Sequence, residues 1–220
     1  MIDPAVPVKL SLEARDVGMF GGFVLTWAYL AILGRGLASG VPRASILFTL
    51  VCFIFIMGAD GVNAVSYDTH VLHFPIELPY LYTPRLELRL GTGLLCGTAF
   101  AGILLPVVNS TLWRDPDPRP VFGGWRQFLG GLAVLSVFFA LNETESGIFL
   151  YPFSILAAAS TLILLGFINM VFVISFFKQP YAVTLRQALN PFAAGVFCAL
   201  IELGALSALR YAILGTATLP

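Results

Sequence analysis

Long apolar runs free of charge recur along this chain, and no water-soluble fold can absorb so many of them. A bilayer core of about 30 Å needs roughly 20 helical residues to cross it. Spans built on these runs fall at about residues 17–34, 44–62, 89–112, 126–142, 152–177 and 188–212, with Glu202 the acid well inside one of them. Of the 220 residues, 58% are hydrophobic and only 11% are charged, against about 25% in ordinary soluble domains. Mean hydropathy is +0.90. Too few polar side chains remain to cover a surface in water, so the surrounding medium is lipid. The expected fold is an all-α, polytopic transmembrane helix bundle of about six spans, forming a single domain over 1–220.

The basic residues set an expected orientation, because cytoplasmic loops collect Lys and Arg. With six spans, Arg35, Arg43, Arg114, Arg119, Arg126, Lys178 and Arg186 share one side, and Lys9, Arg15, Arg85, Arg89 and Arg210 share the other. The thin excess on the first side puts both termini outside. Acidic and basic residues balance at twelve each, so nothing in the charge suggests nucleic acid as a partner. The N-terminus lacks the basic and cleavable pattern of a signal peptide, and the first run reads as a retained span. The setting expected is a multi-pass protein of a lipid membrane, with the Arg35 side facing the cytoplasm.

Small residues recur at helical contact spacing. Gly18/Gly22 and Gly93/Gly97 are GxxxG pairs, and Gly195/Ala199 with Gly204/Ala208 continue the pattern. In lipid, close backbone approach replaces apolar burial as the source of helix association. These faces suit packing into a larger assembly. Two loops stand out. Asp115-Pro-Asp-Pro-Arg-Pro120 is restricted to extended backbone and reads as a stiff spacer. The segment from Asp60 to Arg89 holds Pro75, Pro79 and Pro84 among aromatic residues and reads as a cap on the outer surface.

Polar groups near span ends are the candidates for function. Arg15, Asp16, Asp60, Asn63 and Arg89 converge on the outer end of the bundle. Asp60 or Asp16 paired with Arg89 or Arg15 makes either a capping network or a site for an ion or headgroup. Glu202 is the acid well inside a span, with Asn169 as a candidate neutral partner. Its alternatives are a polar clamp between helices and a proton- or cation-binding residue. His70, His73, Glu13 and Asp16 are weak candidates for a metal, since the prolines around the histidines oppose a regular helix. Cys52, Cys96 and Cys198 show no metal spacing and read as small buried hydrophobes. No nucleophile–base pair, phosphate loop, HExxH or cofactor motif is visible, so an enzyme is the least supported class.

Three stretches carry a resemblance: Glu13-Ala-Arg-Asp-Val-Gly18, Asp60-Gly61 and Arg89-Leu-Gly-Thr-Gly-Leu-Leu-Cys-Gly97. Residues 12–110 resemble a family of bacterial integral membrane proteins without an assigned function. Its members carry a C-A-R-C-T-G-like motif, an Asp-Gly pair and an R-L-x-T-G-x-x-x-G run. Glu13 and Asp16 stand where the family has cysteines, so no thiol chemistry transfers. The resemblance implies that Arg15, Gly18, Asp60, Gly61, Arg89, Thr92 and Gly93 belong together. The function expected is a non-catalytic membrane subunit, embedded in lipid and packed against other membrane-protein subunits. The alternative is a small transporter or ion-binding protein using Glu202 and the outer charge cluster.

Overall fold

Surrounded by hydrocarbon, a backbone must satisfy its own N–H and C=O groups, and each apolar run accordingly winds into an α-helix. The computed structural model describes residues 14–71, 78–144 and 147–214. Within them lie α1 (Ala14–Ile32), β1 (Ala38–Gly40), α2 (Ala44–Val71), α3 (Leu86–Leu112), β2 (Asp117–Pro120), α4 (Trp125–Glu143), α5 (Gly147–Phe177) and α6 (Leu185–Leu214). Helices α2 to α6 are long and apolar enough to cross a membrane. Helix α1 is less apolar, since it opens on Arg15 and Asp16 and carries Gly18, Gly21 and Gly22. It nevertheless runs alongside α3 from one end of the bundle to the other.

Helix α3 is the axis of the bundle, with 67% of its most apolar stretch buried, against 11% for α6. The two GxxxG pairs meet here. A Cβ on Gly93 would strike the carbonyl of Arg15 and lie 3.0 Å from the amide of Met19. One on Gly22 would lie 2.8 Å from the carbonyl of Leu94. These glycines are consumed in the α1–α3 contact inside the chain, which corrects the expectation that they face another subunit. Gly195 is consumed likewise, against Gly166 and Met170 of α5. Among the glycines of these motifs, only Gly204 keeps open space, with nothing within 4 Å. Phe167 of α5 makes edge contacts with Phe23 and Trp27 of α1, at centroid distances of 6.0 and 5.1 Å, and locks α5 onto the same core.

The proline-rich 3–4 loop is extended, but it is more than a spacer. Residues 117–120 pair in parallel with β1 from the 1–2 loop. Asn109 fastens this junction to α3 by donating to the carbonyls of Ala38 at 2.8 Å and Gly36 at 3.3 Å. Arg119 donates to the Gly34 carbonyl at 2.9 Å and to both oxygens of Asp117. Its hydrogen bonds hold the Asp117 carboxyl below the usual carboxylate range. Two loops that a hydropathy profile leaves floppy are therefore sewn together at the end opposite Asp60.

The segment after Asp60 departs further from expectation. Helix α2 continues to Val71, so the expected cap is helical for its first eleven or so residues (about three turns). No proline stands between Asp60 and Val71. The polar side chains there cost nothing in a helix that has left hydrocarbon. Helix α5 likewise begins at Gly147, with Pro152 inside it rather than at its start.

Candidate functional site

The close approach of α1 and α3 decides what the end of the bundle looks like. With Gly18 against Leu90 and Gly93 against the Arg15 backbone, the Arg15 side chain is carried over the buried turn of α2 that holds Asp60. There Arg15 Nη2 meets Asp60 Oδ2 at 2.8 Å, with the two side chains 14% and 2% exposed. The same Nη2 donates to the Asp60 carbonyl at 3.4 Å. Tyr82 Oη donates to Asp60 Oδ1 at 2.6 Å, and Thr92 Oγ1 donates to Oδ2 at 3.4 Å. Both carboxylate oxygens are thus engaged by one cation and two hydroxyls, the saturation that a buried charge needs to avoid a large desolvation penalty.

Asn63, one turn further along α2, holds the Tyr82 side of the arrangement. Its Oδ1 accepts from the amides of Leu81 at 2.7 Å and Tyr82 at 3.3 Å, and its Nδ2 donates to the Tyr82 carbonyl at 2.9 Å. Thr69 and His70 repeat the device higher up, accepting from the Leu78 amide and bonding the Leu78 carbonyl. The rings of Tyr67 and His70 flank Tyr80 at 5.2 and 5.0 Å. The 78–83 segment is therefore strapped along α2, and the strap delivers the phenol to the carboxylate. Burial, followed by the hydrogen bond to Asp60 and its charge, pushes the Tyr82 hydroxyl up to about 12. It stays a neutral donor across the physiological range.

Of the sequence candidates, the structure brings together Arg15, Asp60, Asn63 and Thr92. Arg89 contributes its carbonyl, which at 3.2 Å shares the single Thr92 hydroxyl proton with Asp60. Its Nε is buried without a hydrogen-bond partner. Asp16 sits at the start of α1, half-buried. Sequence reasoning missed Tyr82, whose role depends on how the strap folds back and leaves no local signal.

Glu13 and His73 lie outside the described residues. His70, expected in irregular backbone, is on α2. Among the described residues no three His, Cys, Asp or Glu side chains are grouped so as to hold a metal. The three cysteines are free, Cys96 buried and the other two half-buried. Glu202 lies far from the Asp60 arrangement in sequence and on the other side of α5. Its Oε2 accepts from Asn169 Nδ2 at 2.9 Å, and its side chain is exposed on the outside of the bundle.

Residues 7–103 match a protein family described as predicted membrane protein (DUF2085). That stretch supplies Arg15, Asp60, Asn63, Tyr82 and Thr92, the whole of the buried arrangement, while Asn169 and Glu202 fall outside it. No curated protein and no solved structure matches the chain. The family match and the apolar helices agree on a multi-pass membrane protein in a lipid bilayer.

Proposed function

We propose that this chain is a non-catalytic subunit of a membrane assembly, docked to its neighbour through the C-terminal half of α6. The observation that carries the reading is the exposure of that half. From 201 to 209 every residue is exposed, including Leu206 at 63% and Ile213 beyond at 70%. Apolar exposure alone is ordinary for a helix in lipid. A carboxylate on that face is not, since a charge at mid-span costs about 2.5–3.5 kcal/mol on insertion scales. Asn169 supplies Glu202 with one hydrogen bond, and a donor on a neighbouring helix would supply the rest. Gly204, with open space around it, and Ala208 one turn on allow that helix to come close.

The competing transporter reading needs Glu202 to face a passage between helices, and its outward position favours docking instead. The greater number of Lys and Arg residues at the Arg35 end supports an orientation with both termini outside a bacterial cytoplasmic membrane. The Asp60 arrangement serves in this reading as a structural lock for α1, α2 and α3.

The test is photo-crosslinking in native membranes, with benzoylphenylalanine introduced at Leu203 or Leu206. The reading expects one discrete crosslinked species, abolished by Gly204→Leu, and a mild-detergent complex larger than one chain. A monodisperse single chain with no crosslink at either position refutes it. If Glu202→Gln instead removed proton-coupled uptake in reconstituted vesicles, the transporter reading would replace it.

A further inference from the structure

Helices α2 and α4 both lean on α3, and between them one face of α3 in the half nearest Asp60 is left uncovered. The result is a cavity of about 960 Å³, at the upper end of the roughly 300–1,000 Å³ range of ligand pockets. Its deep wall is apolar: Ile56 of α2, Leu94 and Leu95 of α3, and Leu132 and Leu135 of α4. Its rim is polar, formed by Tyr82, Thr83, Arg85, Glu87 and Thr92. The two parts are sorted by depth. Arg85 and Glu87 open α3, whereas Leu94 and Leu95 lie two turns further in, about 10–15 Å at 1.5 Å per residue. On α4 the order is reversed along the chain, and Phe139 meets Gly91 near the mouth, its ring 3.8 Å from where a Cβ would stand.

A cavity graded in this way matches a molecule graded in the same way. Arg85 and Glu87 are both exposed, and among the described residues neither takes part in an ion pair. They are two residues apart and present opposite charges to one mouth. A guanidinium recognises phosphate through paired N–H donors, and a carboxylate accepts from a primary ammonium. The hydroxyl of Thr83 adds a further polar group on the rim, while those of Tyr82 and Thr92 are turned to Asp60. The apolar wall below continues into the bilayer interior, where acyl chains already lie.

We propose that this cavity binds one zwitterionic phospholipid, its phosphate on Arg85, its primary ammonium beside Glu87 and an acyl chain along Leu94, Leu95, Leu132 and Leu135. The Asp60 arrangement is the back of the headgroup site, since it fixes Tyr82 and Thr92 in the cavity wall. Ligand binding and the folding of the strap are thereby linked.

The experiment is native mass spectrometry of the full chain in mild detergent, titrated with dioleoyl phosphatidylethanolamine, dioleoyl phosphatidylglycerol and dioleoylglycerol. The proposal expects a single phosphatidylethanolamine retained in preference to the other two. Arg85→Ala should weaken retention about tenfold, the worth of one charge-assisted hydrogen bond. Glu87→Gln should weaken phosphatidylethanolamine and leave phosphatidylglycerol unchanged. Ser136→Trp, a plug from the exposed side of the lining, should abolish the single-site adduct, with Gly91→Leu as a second plug. Each variant is checked by its helical circular dichroism, and whichever plug folds decides. Retention that ignores both Arg85→Ala and a folded plug is annular lipid only and overturns the proposal. Equal or stronger retention of phosphatidylglycerol in the parent overturns the assigned headgroup.

Discussion

Replacing Asp60 by asparagine isolates the ionic part of the buried arrangement, because the amide keeps nearly the same shape. The amide oxygen would still accept from Tyr82, and the residue-60 carbonyl that Arg15 reaches at 3.4 Å is untouched. What disappears is the charge facing Arg15, whose side chain is only 14% exposed. Removing one member of a buried pair costs about 3–5 kcal/mol, because the other is left as an uncompensated charge. The partial exposure of Arg15 and the surviving hydrogen bonds put the expected loss at the low end, about 3 kcal/mol. Arg15→Gln leaves the carboxylate without a cation and should cost about as much. The double variant removes both charges together, so it should cost little more than either single one, a coupling of about 3 kcal/mol. Unfolding in mixed micelles, followed by helical circular dichroism at rising mole fraction of a denaturing detergent, measures all three. Strict additivity, or an Asp60→Asn loss below about 0.5 kcal/mol, the scale of an ordinary surface change, would refute the claim that the pair is desolvated and mutually dependent.

Gly93→Ala places a methyl against the Arg15 carbonyl and should lower stability by about 3 kcal/mol or more, the upper range for overpacking. Gly58→Ala, with nothing within 4 Å, serves as the control that leaves the melting temperature in place. Ultraviolet difference titration should find one tyrosine, absent in Tyr82→Phe, ionising near 12 rather than 10. Because that pKa is raised in the folded chain, the stability it contributes is complete below pH 10 and drains away as pH rises towards about 12. A Tyr82→Phe variant with an unchanged alkaline unfolding midpoint would contradict this. Cysteines placed at Asp68 and Thr144 should react with an impermeant thiol reagent from the same side of the membrane, since α2 and α4 end together. Labelling from opposite sides would refute the helix order.

The sequence identified the medium, and with it most of the secondary structure. Apolar runs near residues 44–62, 89–112, 126–142, 152–177 and 188–212 became α2 to α6 because lipid allows a lone spanning segment only one way to satisfy its backbone. The spacing of Gly18 with Gly22 and Gly93 with Gly97 also marked a contact face, since only a missing Cβ permits such approach. The identity of that contact was not legible: a GxxxG pair has the same chemistry whether its partner is in the same chain or another.

The position of charged groups in the sequence narrowed Asp60 to a few partners, and only tertiary packing selected among them. Arg15 reaches Asp60 because α1 and α3 touch through glycine, and Tyr82 arrives because Asn63 and Thr69 strap residues 78–83 against α2. These are contacts across tens of residues, set by how rigid helices pack, and no local pattern records them. The end of α2 shows the same division from the other side. Hydropathy reports where a helix leaves hydrocarbon, near Asp60, but hydrogen bonding carries it on to Val71, because water tolerates a polar helix as readily as a loop. The sequence therefore determined what each segment must be in lipid. The fold alone decided which polar groups would meet.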